Sequence, residues 1–98
     1  MALATYQALY QYENRAVELT LRDKDMISFT PDSAYAEVVD EDDTVIMAEQ
    51  SCTVSDNTIY IYVGTTVTNN PGTYYIIWKI IKDVAIYYHK TTITIEEI

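Results

Sequence analysis

Alternation of apolar and polar positions with a period of two runs through most of this chain. From Ala16 to Arg22 the segment AVELTLR places Val17, Leu19 and Leu21 on one face and Glu18, Thr20 and Arg22 on the other, the pattern of a half-buried strand. Tyr6 to Tyr12 reads as a strand before it, with Glu13, Asn14 and Arg15 as the polar turn between them. Asp23 to Asp25 (DKD) turns the chain again, and ISFTPDSA passes through Pro31, which has no ladder donor and favours an edge or loop. Ala34 to Val39 and Thr44 to Met47 are predicted strands, joined as a hairpin by the acidic turn Asp40 to Asp43 (DEDD). Cys52 to Val54 and Thr58 to Val63 flank the turn SDN, and GTTVTNNPG is the longest polar connection. Thr73 to Ile81 and Ala85 to Ile95 face each other across Lys82 and Asp83 and should form the strongest hairpin. Short strands separated by turn residues predict a single all-β domain over residues 1–98, an antiparallel β-sandwich of about seven strands. The competing expectation is local: ATYQALYQYENRAVEL also fits a helix that clusters Leu3, Tyr6 and Tyr10, and residues 1–12 could serve as an extended or swapped N-terminal arm.

The strand after NNPG departs from simple alternation because both of its faces are large. Tyr74, Ile76, Trp78 and Ile80 point one way, and Tyr75, Ile77, Lys79 and Ile81 point the other. On the last strand Ile86, Tyr88, Lys90, Thr92 and Thr94 share one side, and Tyr87, His89, Thr91, Ile93 and Ile95 share the other. A two-layer sandwich buries only one face of each strand, so the second face would leave tyrosine and isoleucine in water. Either another part of the chain covers it, or it is a contact surface for another subunit, with Tyr75, Ile77 and Ile81 as candidate interface residues and Tyr87 or Ile93 beside them.

Pro71-Gly72-Thr73-Tyr74-Tyr75-Ile76 resembles the G-x-Y-x-C segment of immunoglobulin domains, in which a tyrosine opens the sixth strand and its hydroxyl caps the preceding corner. The resemblance puts Tyr74 and Gly72 at the structural corner. Ile76 stands where the disulfide cysteine would be, which implies an immunoglobulin-like sandwich without a disulfide.

Composition narrows the functions. Ten tyrosines and only two glycines and two prolines in 98 residues agree with strands. Fifteen acidic residues against six basic ones give a net charge of −9, which repels phosphate and anionic lipid, so neither nucleic acid nor membrane is an expected partner. The single Cys52 cannot close an internal disulfide, and the start MALATYQALYQYENR lacks the basic end and apolar run of a secretory signal. The expectation is synthesis in the cytoplasm.

Candidate chemistry is sparse. His89 is the lone histidine, with no Ser or Cys at a spacing that makes a nucleophile pair, and it reads as structural. Asp40, Glu41, Asp42 and Asp43 lack the alternating ligands, Gly and terminal Glu of an EF-hand loop and read as a solvated turn. Asp23 with Asp25 is an ordinary turn pair, Cys52 a small strand residue, and Gly64-Thr65-Thr66 lacks the other glycine and the lysine of a phosphate loop. The chain is expected to have no catalytic, cofactor-binding or metal-binding residue, and to need no cofactor.

Three segments together carry a wider likeness: ENRAVELTLRDKD, TPDSAYAEVVDEDDTVI and NNPGTYYIIWKIIKDVAIYYHKTTITI. They resemble the small immunoglobulin-like virion structural proteins of tailed bacteriophages in an alternating first core strand, an acidic-turn hairpin after a proline-containing entry, and a P-G-x-Y-x-x-x-W strand beside a tyrosine-rich last strand. The resemblance implies a virion component, a capsid decoration protein or a head–tail (neck) accessory subunit. Its implied partners are other virion proteins (capsid, portal or tail subunits), and a homo-oligomer in the particle fits as well. The alternative class is a recognition module that binds a host-surface protein or a carbohydrate through exposed aromatics.

Overall fold

The computed structural model describes residues 6–22 and 25–98 of the chain. Residues 1–5, including Leu3, and Asp23 and Lys24 of the DKD turn lie outside the described residues. Eight strands and one short helix follow in order: β1 (Tyr6–Tyr10), β2 (Arg15–Thr20), β3 (Ser33–Asp40), β4 (Val45–Ser51), β5 (Thr53–Ser55), β6 (Thr58–Val63), α1 (Thr65–Thr68), β7 (Gly72–Lys82) and β8 (Ala85–Glu96). They form a five-stranded sheet in the order β1-β8-β7-β3-β4 and a three-stranded sheet in the order β2-β6-β5.

The strand order is that of a disulfide-free immunoglobulin-like sandwich. β2-β6-β5 reproduces the B-E-D half, and β8-β7-β3-β4 the G-F-C half with its added C′ strand. β1 lies beside β8 in parallel register, Leu9 opposite Ile95, so one pair in the larger sheet departs from the antiparallel arrangement. Parallel neighbours need a long connection, and here the whole domain intervenes between the first strand and the last. The stretch over Tyr6–Tyr10 is therefore strand and not helix.

Turn chemistry sets the hairpins. Asp40 holds the β3–β4 turn by accepting, through Oδ1, the backbone N–H groups of Asp42 at 2.8 Å and Thr44 at 3.0 Å. Asp43, Asp56 and Asp83 take positive φ values of 63°, 52° and 55°, a conformation that aspartate tolerates better than most side chains. Residues Asp83 and Val84 close β7 on β8, since Lys82 pairs with Ala85, and the Asp83 N–H donates to Asp32 Oδ2 at 2.7 Å. The chain crosses from the larger sheet to the smaller at Cys52, which lies between β4 and β5 and not within a strand; its N–H donates to the Ala34 carbonyl at 2.8 Å.

The helix α1 arises within GTTVTNN, where the sequence suggested only a polar connection. Its Val67 and Thr68 are buried. Thr68 Oγ1 donates to the Glu13 carbonyl at 2.8 Å and the Tyr12 N–H donates to the Thr68 carbonyl at 3.0 Å, so α1 is fastened to the β1–β2 turn.

The core lies between the sheets. Leu9, Val17, Leu19, Ile59, Val63, Ile76, Trp78 and Ile80 are all sealed from water. Burying each such side chain contributes roughly 1.5–3 kcal/mol, so this layer supplies the stability that the missing disulfide does not.

Candidate interaction surface

The tyrosine corner is present. Tyr74, near the start of β7, is 8% exposed and its hydroxyl donates to the Asn70 carbonyl at 2.8 Å. Burial, and after it the nearby Asp40 carboxylate, push its phenol above the ordinary value. Gly72 sits at φ 146°, a backbone conformation that L side chains rarely adopt, which explains glycine at the entry to β7. Ile76, two residues beyond the tyrosine, is fully buried where an immunoglobulin cysteine would lie.

Strand register sorts the candidate interface residues onto different faces. Tyr74 pairs with Ile93, Trp78 with His89 and Ile80 with Tyr87. Residues directly opposite across an antiparallel pair share a face, so Ile93 and Tyr87 stand on the core side with Trp78, and not beside Tyr75 and Ile77. Ile93 is wholly buried and is withdrawn from the interface set. Tyr87, 40% exposed, lies on that same side toward the β7–β8 turn.

The outer face of the larger sheet carries, instead, four cross-strand rows around Tyr75, Ile77 and Ile81. Thr92, Tyr75, Val39 and Val45 form one; Lys90, Ile77 and Glu37 the next; Tyr88, Lys79, Tyr35 and Ser51 the third; Ile86, Ile81 and Ser33 the last. Tyr75, Ile77 and Ile81 are half-buried, while Ile86 and Tyr88 are exposed. Val39 is nearly sealed on this face although it lies outside the hydrophobic core cluster, so the outer side chains pack on one another. The three-stranded sheet and the core lie on the opposite side.

Two lysines stand among these aromatics. The Lys90 ammonium sits 4.4 Å from the centre of the Tyr75 ring, and Lys79 sits 5.6 Å from that of Tyr35. Such contacts attract the amines toward the ring faces. Two of the six basic residues in a chain of net charge −9 thus gather on one apolar face. The smaller sheet differs: its outer rows are Ala16 and Tyr62, then Glu18, Tyr60 and Thr53, then Thr20, Thr58 and Ser55. Two of these rows are mostly polar, as is ordinary for the outside of a sandwich, and the third exposes Tyr62 without a lysine beside it in the row.

Elsewhere the candidate groups serve the fold. The Asp40 carboxylate is engaged by turn amides, and among the described residues no group of three or more His, Cys, Asp or Glu is placed to hold a metal ion. Cys52 is half-buried, and burial pushes its thiol up to about 12. Trp78, completely buried, donates its indole N–H to Thr91 Oγ1 at 2.8 Å. A shallow groove of about 400 Å³ beside β4, lined by Ile46, Met47, Gln50, Tyr62, Thr66 and Val67 among others, carries no charged side chain and therefore no acid–base pair. Among the described residues no helix is long and apolar enough to cross a membrane.

No protein-family model matches this chain, and no curated protein matches it. Among solved structures, a family 123 glycoside hydrolase from Clostridium perfringens, described in connection with glycolipid glycan hydrolysis, aligns over 96% of this chain and 23% of its own, with a TM-score of 0.45 and 9% identity. The chain spans under a quarter of that enzyme's length, and a likeness so distant bears on neither fold nor activity.

Proposed function

We propose that this chain is a non-enzymatic structural subunit of a tailed-bacteriophage virion, a capsid decoration or head–tail accessory protein that docks on other virion proteins. The observation that carries the reading is the outer face of the five-stranded sheet, where Tyr75, Ile77 and Ile81 stand half-buried on the side away from the three-stranded sheet. A small acidic domain gains nothing from placing such side chains in water, whereas a subunit interface uses tyrosine for broad apolar contact with a hydroxyl left at a wet rim. The sequence resemblance to phage immunoglobulin-like proteins supports the virion setting, and synthesis in the host cytoplasm fits the lack of disulfide cysteines.

The competing reading, recognition of a host-surface protein or carbohydrate, needs an exposed aromatic platform. Trp78, the only tryptophan, is unavailable for stacking because it is sealed in the core, which leaves that reading only exposed tyrosines such as Tyr62 and Tyr88.

The test is assembly. A chain carrying both Tyr75→Glu and Ile77→Glu should fold with the parent's circular dichroism spectrum and be absent from purified particles when their proteins are quantified by mass spectrometry. Retention at parental occupancy would refute docking through this face.

A further inference from the structure

We infer that the outer sheet face pairs with a second copy of the same chain, about a two-fold axis that runs along β7 between the two facing sheets. This rests on the docking surface assigned above and names another copy of the chain, in place of a different virion protein, as its occupant.

The row Lys90, Ile77, Glu37 crosses β8, β7 and β3. Ile77 is central, the cation lies one strand to one side and the anion one strand to the other, with neighbouring strands about 4.8 Å apart. Lys90 and Glu37 form no ion pair with each other within the chain. A two-fold axis along β7 exchanges the β8 side of one copy for the β3 side of the other. Ile77 then meets Ile77 on the axis, and Lys90 of each copy faces Glu37 of the other. The row is self-complementary, which an isologous interface requires.

The adjoining row obeys the same rule. The operation that sets Lys90 against Glu37 also sets Tyr88 against Tyr35 of the second copy. Lys79 leans from β7 over its own Tyr35, so its ammonium comes to lie between that ring and Tyr88 of the second copy. The two Lys79 ammonium groups are thereby carried to opposite sides of the axis. Tyr88 is 64% exposed in the single chain, and this contact covers it. A two-fold axis across the strands would instead place Lys90 against Lys90 and Glu37 against Glu37, so charge selects the axis along β7.

Net charge sharpens the choice of face. Two chains of −9 repel each other, and they can approach closely only where cations offset the acids. Lys79 and Lys90 supply that offset here, on the same rows of β8, β7 and β3 that carry Glu37. Sheets packed face to face lie about 10 Å apart, within the combined reach of a lysine and a glutamate side chain.

Charge-swap analysis by sedimentation equilibrium tests the pairing, in about 0.15 M salt, where the Debye length is about 8 Å and general repulsion is damped. The parent chain should show a monomer–dimer equilibrium. Lys90→Glu and Glu37→Lys should each weaken the dimer at least about tenfold, and the double variant should recover to within about threefold of the parent. Thermal melts that match the parent's would show that the variants fold. A parent that stays monomeric throughout the accessible concentration range, or a double variant no tighter than either single one, overturns the second-copy assignment. If the parent is monomeric while the Tyr75→Glu, Ile77→Glu chain is still excluded from particles, the docking surface stands and only its occupant was wrong.

Discussion

Trp78 and Thr91 are joined diagonally across β7 and β8 by a buried hydrogen bond, the indole Nε1 donating to the threonine Oγ1 at 2.8 Å. The register places Trp78 opposite His89, so Thr91 is its diagonal neighbour, within reach of a long aromatic side chain. Both residues are sealed from water. Removing the hydroxyl would leave the indole N–H without its acceptor in a site that water cannot supply. Thr91→Val, which keeps the shape, should therefore cost about 1–3 kcal/mol in urea denaturation. Thr91→Ser, which keeps the acceptor, should cost less, and equal losses for the two would deny the bond its role.

Tyr74→Phe removes the hydroxyl that caps the Asn70 carbonyl and should lower stability by about 1 kcal/mol at neutral pH. Its pH dependence is distinctive. In the unfolded chain the phenol ionises near 10.0, whereas the folded form keeps its proton to higher pH because burial, and then Asp40, disfavour the anion. This contribution is whole below pH 10.0 and is lost as pH rises through the folded value. The stability gap between parent and variant should therefore narrow above pH 10, as followed by denaturant midpoints.

Cys52 should be a slow thiol. The thiolate is the reactive form, and burial pushes the group up to about 12 from an ordinary 9.0. At pH 8 its reaction with a disulfide reagent should be about a hundredfold or more slower in the native chain than in urea. Fast native labelling would show that the β4–β5 crossing opens readily. A cysteine held this way matches a residue that packs against the core, and gives no support to nucleophilic chemistry.

Between the two sheets' outer faces the contrast is itself testable. Tyr60, on the smaller sheet, stands between Glu18 and Thr53, a polar row, whereas Ile77 stands on the lysine-flanked apolar face. Tyr60→Glu should leave particle incorporation unchanged when measured beside Ile77→Glu, which should abolish it. Equal behaviour of the two would remove the face assignment.

Local pattern sufficed for much of this molecule. The alternation of Val17, Leu19 and Leu21, the DEDD hairpin, the G-x-Y corner and the large second face of β7 were all legible from residue order, because each depends on neighbours within a few positions. Period two tells which side chains of one strand travel together. It does not tell which face of the next strand they join, and that choice depends on long-range register. Hence Ile93 read as a companion of Tyr75, when its pairing with Tyr74 puts it in the core. The parallel seat of β1 beside β8 was equally out of reach, since it brings together the two ends of the described chain. The helix Thr65–Thr68 escaped because four residues carry no helical periodicity, and what fixes it is its fastening to the β1–β2 turn. The self-complementary row of Lys90, Ile77 and Glu37 exists in no stretch of sequence; only the register of three strands creates it.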